Sequence, residues 1–518
     1  SWEGRTYKDL FLVSLLDGSK ELVAKRISGD PEWSPGGKYI YWYEEPDTAW
    51  YAYSLEFEKL LTLTHGKEFS DELNDLPDFP RSYGLAGWNQ GDERIYLYDR
   101  YDIWEINPFS LKDSKRITQG REKHIQYRYV KLDMEEEFLP SGWLVRTFNE
   151  LDKSEAYVRL NTQTLSEETL TAGNFQLDRH PLKAKDVNYI IFTQETFLEF
   201  PDLWLAVNDQ FSKAKKLSNA NPQQKEYLWG NIELVHWTKP NGERLEGLLV
   251  KPENFDPSKK YPMIVNFYER SSDGLHNHRA PFPHRSTINY TFYASNGYII
   301  FNPDVTYEVG YPGKSALDAV VSGTEAILKM GFVDPEKVGL QGHSWGGYQI
   351  AHIVTKTDMF ACAESGAPVV NMVSAYGGIR WGSGMSRMFQ YEHTQSRLGA
   401  TLWENPELYL ENSPIFNVDK IHTPVLILHN DHDSAVPWYQ GIEFFVAMRR
   451  LNKPAWLLNY NDEPHWPLKW QNRLDFNRRL FQFFNYYLKG EGMPVWMKTG
   501  VPAIEKGMNS GLELSQEK

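Results

Sequence analysis

The sequence predicts a chain in two parts: a series of small antiparallel sheets over residues 1–222, then a mostly parallel, helix-covered sheet over residues 223–518. Three observations carry that expectation. A four-residue tetrad recurs at a nearly constant interval in the first half. Short apolar runs alternate with helical patterns in the second. At one strand-to-helix junction a serine is set among glycines, in "VGLQGHSWGGYQ".

The chain reads as a soluble, folded protein. Its 518 residues are too many for one ordinary domain. Hydrophobic residues make up 41% and charged residues 24%, a balance that favours a packed core over disorder. The net charge of −14 argues against nucleic acid or an anionic membrane as partner, and no basic stripe offsets it locally. No apolar run approaches the roughly 18 residues of a membrane span. The single cysteine, Cys362, excludes internal disulfides and thiolate zinc sites; in "MFACAESGAP" it reads as a buried small hydrophobe. A disulfide-free chain suits the cytoplasm or a cysteine-poor periplasmic protein, and both compartments stay open.

The tetrads are "LTHG" at 63–66, "ITQG" at 117–120 and "LTAG" at 170–173, with "LSNA" at 217–220 as a weaker echo. Before each lie two short aromatic strands with alternating polarity, such as "RIYLYD" then "DIWEIN" and "YIIFTQ" then "DLWLAV". Repeats of about 40 to 50 residues built from several strands are the signature of β-propeller blades. A β-sandwich is the alternative, and the fixed strand order before each tetrad disfavours it. The opening "DLFLVSLLDGSKELVAKRISG" supplies only two strands of a blade and leads into its own tetrad, "ISGD". Rings contain about 4–8 blades, so the expectation is an incomplete β-propeller whose missing blades lie upstream of Ser1. An open strand edge is a pairing hazard, and self-association into a homo-oligomer is expected of a fragment that ends there.

From about residue 223 the pattern changes. "IELVHW" and "LEGLLV" flank an Asn-Gly turn and predict a hairpin. Apolar runs then follow at 263–268, 298–301, 337–342, 424–430 and 455–460, with helical stretches such as 315–331 and 472–488 between them. Strands apolar on both faces, alternating with helices, predict a mostly parallel sheet covered on both sides.

Gly342-His343-Ser344-Trp345-Gly346 fits G-x-S-x-G at the strand-to-helix turn where an α/β-hydrolase carries its nucleophile. Glycine neighbours remove the Cβ atoms that would clash in such a turn, and the helix N-terminus favours developing negative charge. A serine hydroxyl is a poor nucleophile near its ordinary pKa, so a base and an orienting acid must follow, in the order Ser, Asp, His for this fold. His465 in "LLNYNDEPHWP" is the candidate base. Asp431 and Asp433 in "LILHNDHDSAVP" are both candidate acids, and both loops follow strands on the serine's edge of the sheet. His429 and His432 precede the acid and read as packing or loop residues.

Residues 223–518 resemble the catalytic domain of the prolyl oligopeptidase family of serine peptidases, α/β-hydrolases that carry an N-terminal β-propeller. "GHSWGGY" resembles that family's nucleophile turn, "HNDHDSAVP" its acid loop, "DEPHWP" its histidine loop and "YPMIVNFY" the strand before its oxyanion loop. The elbow looks most similar to bacterial acylaminoacyl-peptidase-like and dipeptidyl-peptidase-like members. The resemblance implies Ser344 as nucleophile, His465 as general base then acid, and Asp433 rather than Asp431 as orienter. It implies an oxyanion site formed by the Trp345 backbone N–H and the Tyr268 hydroxyl. It also implies an apolar substrate pocket lined by Trp345, Val369, Met372, Tyr376 and Val436, and no cofactor or metal. Peptides are then the expected substrates.

One departure stands out. After the catalytic aspartate many family members place an acidic residue and then Asn or Arg, which grips a substrate carbonyl; here Ser434 and Ala435 follow. Proline specificity and dipeptidyl release therefore do not follow from the resemblance. His276, His278 and His284 in "LHNHRAPFPH" are spaced too irregularly for a zinc site and read as a rim loop. Glu44-Glu45 and Glu135-Glu136-Glu137 read as solvated charge rather than an amine-binding pair. Two alternatives to a peptidase stay open: a carboxylesterase using the same triad, and an idle scaffold whose repeats bind a protein partner.

Overall fold

The computed structural model describes residues 4–515, and the chain divides into two compact units. One is Arg5–Pro222 together with the tripeptide His276–His278. The other is the chain from Gln223 onward without that tripeptide.

The first unit opens with a hairpin, Lys8–Val13 with Lys20–Ile27, followed by four antiparallel sheets, three of four strands and one of five. Each sheet is centred on an aromatic strand pair: Tyr39–Glu44 with Ala49–Ser54, Ile95–Tyr98 with Ile103–Ile106, Gly142–Asn149 with Glu155–Asn161, and Tyr189–Glu195 with Asp202–Val207. The recurring tetrad has a physical role in three of the four. Its second residue accepts a hydrogen bond from a strand N–H: Thr64 Oγ1 from Trp50 at 2.9 Å, Thr118 Oγ1 from Ile103 at 3.0 Å, and Ser218 Oγ from Leu203 at 2.9 Å. In two sheets an aspartate completes the latch. Asp102 accepts from Thr118 Oγ1 and Gly120 N, and Asp202 from Ser218 Oγ and Ala220 N.

Apolar faces join sheets that are neighbours in sequence. Tyr39, Tyr41 and Trp50 pack with Trp88, Ile95 and Leu97 of the next sheet. Tyr96 and Ile103 pack with Trp143 and Val145, and Leu144 and Tyr157 with Ile190 and Phe192. The opening hairpin joins the first sheet through Ile27, Trp42 and Tyr53. It is also tied by Glu44, whose carboxylate accepts from Ser28 N and Oγ. Glu45 pairs with Arg5 at 3.0 Å.

The second unit is built on one eight-stranded sheet: β1 (Asn231–Thr238), β2 (Arg244–Lys251), β3 (Tyr261–Asn266), β4 (Ile299–Pro303), β5 (Val333–His343), β6 (Cys362–Gly366), β7 (Val425–Leu428) and β8 (Ala455–Leu458). The order is β1-β2-β4-β3-β5-β6-β7-β8. β1–β2 and β2–β4 pair antiparallel, and every later pair is parallel. Helices Pro312–Lys329, Trp345–Ile353 and Tyr439–Arg450 bring Ala316, Val320, Ile350, Phe444 and Met448 into one continuous core with the strands. On the other face helix Trp470–Phe484 packs with Trp456 of β8, at 5.9 Å between the Phe483 and Trp456 rings. None of the described helices is long and apolar enough to cross a membrane.

β6 is the strand that the sequence pattern does not suggest, and it holds a carboxylate where apolar residues are expected. Glu364 is fully buried. Its Oε2 accepts from Gln341 Nε2 of β5 at 2.7 Å, and its Oε1 has no partner among the described residues. Burial, opposed only by that hydrogen bond, pushes its pKa up to about 8. The folded state therefore holds a proton that the unfolded chain releases near the ordinary glutamate value. The Glu364 contribution to stability is then fully present below about pH 4.5 and is lost between there and about pH 8, by at most about 1.4 kcal/mol per pH unit. Glu364→Gln should flatten this slope in denaturant titrations run from pH 5 to 8. An identical slope in both proteins would place the titration elsewhere.

Candidate active site

β5 ends at His343 and the next helix begins at Trp345, leaving Ser344 alone in the turn at φ 60° and ψ −115°. A side-chain-bearing residue is strained there by about 1–3 kcal/mol. Hydrogen bonds hold it: Ser344 N donates to Gly366 O at 2.7 Å, and Ser344 O accepts from Tyr348 N at 3.0 Å. The flanking glycines are required by proximity. A Cβ on Gly346 would lie 2.8 Å from Phe267 O, and one on Gly347 would overlap the carbonyl oxygen of Gly366. The helix thus starts in direct backbone contact with the ends of two strands.

The loop after β7 supplies Asp433 and the loop after β8 supplies His465. Asp433 Oδ2 accepts from His465 Nδ1 at 2.6 Å, while Asp433 Oδ1 accepts from the N–H groups of Ala435 and Val436, both at 2.8 Å. A second imidazole faces the same carboxylate: His429 Nε2 lies 3.3 Å from Asp433 Oδ2. Burial pushes the Asp433 carboxyl up, but hydrogen bonds and charge from His429 and His465 outweigh it and hold the group well below the usual carboxylate range. Asp431 plays a different part, accepting from Asn461 Nδ2 and Asp462 N. His432 is exposed, 3.7 Å from Asp462.

Two buried residues of the same loops, Asn430 and Glu463, hold them in place. Asn430 bridges them, donating to Pro464 O at 2.9 Å and accepting from Tyr460 N at 3.1 Å. Glu463 ties the histidine loop to the next helix by accepting from Leu468 N, Lys469 N and Asn472 Nδ2. The His465 ring packs against His343 at 4.7 Å and Trp466 at 5.1 Å.

Ser344, His465, Tyr268, Trp345, Val369 and Val436 all line one cavity of about 800 Å³. Tyr268 is 43% exposed; partial burial and the charge of Glu269 raise its pKa, while hydrogen bonds with Gln395 and Ser344 and the charge of Arg380 work against that rise. Gln395 Nε2 donates to the phenol oxygen at 2.8 Å. The Tyr268 carbonyl accepts from Gln349 Nε2 at 2.8 Å and from the Tyr307 hydroxyl at 3.1 Å, and that hydroxyl also takes Trp345 Nε1. Met372 and Tyr376 do not line the cavity. They are fully buried in the apolar cluster that backs Trp345, Val369 and Val436. The family resemblance places both in the pocket, but in this chain the five-residue helix Met372–Tyr376 turns them into the core behind it.

The three histidines after Tyr268 do not act together. His276 and His278 group with the first unit, whereas His284 Nδ1 accepts from Ser286 N and Thr287 N. Among the described residues no group of three His, Cys, Asp or Glu is placed to hold a metal ion.

A mixed sheet with a strained serine turn after a central strand, and an Asp–His pair in the loops after two later strands, is the arrangement of an α/β-hydrolase. Residues 309–491 match the model of the prolyl oligopeptidase family. A dipeptidyl-peptidase 5 of Porphyromonas endodontalis is 29% identical over 280 residues, 48% of this chain and 36% of the relative. The dipeptidyl-peptidase 5 of Porphyromonas gingivalis is 24% identical over 512 residues, 93% of this chain and 63% of the relative. The chain thus spans less than two thirds of the length of these curated relatives. Among solved structures, a puromycin-hydrolyzing peptidase of Mycobacterium tuberculosis superposes with a TM-score of 0.64 at 15% identity, over 91% of this chain and 74% of that one. At that identity the likeness is one of fold.

Gly347→Ala should lower stability by about 1–3 kcal/mol, because the added methyl group forces the helix away from Gly366. A denaturation midpoint checks this, and an unchanged midpoint would mean that the helix and β6 separate freely.

Proposed function

We propose that the chain is a serine peptidase that hydrolyses short peptides through Ser344, His465 and Asp433 by way of an acyl-enzyme. The observation that carries this reading is the 2.6 Å bond between Asp433 and the Nδ1 of His465, which lines the same cavity as the strained Ser344. With Nδ1 engaged, Nε2 is the nitrogen left to act on the serine. Ser344 Oγ attacks the scissile carbonyl carbon while His465 Nε2 takes its proton. The oxyanion accepts from the Trp345 N–H and the Tyr268 hydroxyl. His465 then passes its proton to the leaving amine as the C–N bond breaks, and water repeats the sequence on the ester. The depressed Asp433 pKa keeps a negative charge beside the imidazolium throughout, and the raised Tyr268 pKa keeps its hydroxyl a donor at neutral pH.

The names of the dipeptidyl-peptidase relatives support peptides as the substrate class. The four consecutive sheets and the hairpin support a propeller reading, with each sheet a blade. Ser434 and Ala435 follow the acid where a carbonyl clamp is expected, so the reading stops at short peptides and does not extend to dipeptidyl release.

Ser344→Ala should abolish peptide and ester hydrolysis, a loss of about 10⁴–10⁶ in kcat, with folding retained. Full turnover in a purified, fluorophosphonate-unreactive variant would remove the assignment.

Tyr268→Phe should lower kcat roughly 10²-fold with little change in KM, since its hydroxyl bonds an oxyanion that exists only near the transition state. A rise confined to KM would make Tyr268 a ground-state binding residue.

A further inference from the structure

The cavity around Ser344 carries a charge pattern opposite to that of the chain. The chain's net charge is −14, yet the residues lining the cavity include Arg285, Arg380 and Arg387 and no aspartate or glutamate. The acids near the lining in sequence are engaged elsewhere: Glu463 accepts from Leu468 N and Lys469 N, and Asp304 from Ser271 N and Ser272 Oγ. Glu269 pairs with Arg397 at 3.1 Å, Glu392 accepts from the Tyr376 hydroxyl, and Asp433 lies between two imidazoles.

The three arginines differ in how they are held. Arg387 is buried and donates to the carbonyl oxygen of Ala435, so it is committed to shaping the acid loop. Arg285 places its Cζ over the Trp466 ring, 3.8 Å from the centroid, and lines the cavity. Arg380 belongs to a short hairpin, Ile379–Arg380 with Met385–Ser386. It is half-buried, and its guanidinium has no ion-pair or hydrogen-bond partner among the described residues. Its charge is close enough to act on the Tyr268 phenol, which neighbours Ser344. A guanidinium on a partly desolvated wall with no counter-ion is satisfied when an anion arrives, and its planar fork matches a carboxylate.

We infer that this cavity binds a substrate carboxylate, with Arg380 as its main partner and Arg285 as a second cation beside it. The substrates are short peptides that carry a carboxylate close to the scissile bond. The inference rests on the serine peptidase reading above. The carboxylate has two sources, an acidic side chain or the free C-terminus of the peptide. The same charge pattern disfavours an ammonium in this cavity, and so disfavours anchoring a peptide there by its N-terminus.

The test uses the full chain and short peptides in matched pairs, Glu against Gln within the sequence and free acid against C-terminal amide. Two readouts are taken: kcat/KM for cleavage, and protection of Ser344 from fluorophosphonate labelling, which reports binding even for peptides that are not cut. The wild type should favour the carboxylate member of at least one pair by about 10- to 100-fold, the range for a hydrogen bond to a charged group. The preference should shrink with added salt. The pair that responds identifies the source. Arg380→Gln should bring the ratio within a pair toward one, and Arg380→Lys should restore part of it. Equal rates and equal protection within both pairs overturn the inference, as does an Arg380→Gln variant that lowers kcat alike for both members, since Arg380 would then act on the oxyanion. A chain that does not label with fluorophosphonate overturns the serine assignment itself, which separates the two failures.

Discussion

The second unit is organised around a steric constraint, the contact of Gly347 with the carbonyl of Gly366. That contact brings the helix after β5 against the end of β6 and lets Ser344 N donate to the same carbonyl. Ser344 is thereby held in a backbone conformation that a free chain would rarely visit. Because β6 lies between β5 and β7, the serine turn and the strand leading to the acid loop share a rigid frame. Position is settled in the backbone, so the side chains need little reorganisation. That is the condition under which fixed dipoles act strongly on developing charge.

Electrostatics then separates the groups by task. Asp433 is buried between His429 and His465 and stays ionised because the two imidazoles and the Ala435 and Val436 N–H groups compensate its desolvation. Glu364, also buried, receives one hydrogen bond and keeps its proton at neutral pH. Two carboxylic acids in one sheet domain thus take opposite charge states, and the number of donors facing each decides which. Asn430 and Glu463 spend their polar atoms on backbone groups of the active loops, which makes those loops parts of the scaffold rather than free connections.

Much of this was legible in the sequence, for reasons that differ by residue. Ser344 is announced by glycines that a close backbone approach requires, and His465 by following an apolar strand run. Position alone does not distinguish Asp431 from Asp433, which sit in one loop; the first accepts from Asn461 and the second from His465. β6 escaped notice because a strand with a glutamate at its centre lacks the apolar signature of its neighbours. His429 reads as packing from its place on a strand end, and only the fold brings it to Asp433. Arg380, Arg387 and Gln395 lie in irregular chain between short helices, where spacing carries no information about which side chains converge. The tetrads were visible as a period, but their purpose was not, because a hydroxyl accepting a strand N–H some fifteen residues away is a tertiary fact.

Those tetrad hydroxyls have a consequence for how the first unit comes together. Each latch closes within its own sheet, over a short stretch of chain, and each apolar cluster draws on sheets adjacent in sequence. Loop-closure entropy grows with the length of chain enclosed, so the early steps of assembly are inexpensive and local. Such an array behaves as a line of coupled units: a sheet can form where its own contacts are strongest and recruit the next across a shared aromatic face. Damage travels by the same rule. Loss of one aromatic face loosens a single junction, and its effect on more distant sheets decays with each intervening unit. A sheet can therefore be gained by duplication, or lost, without redesign of those that remain.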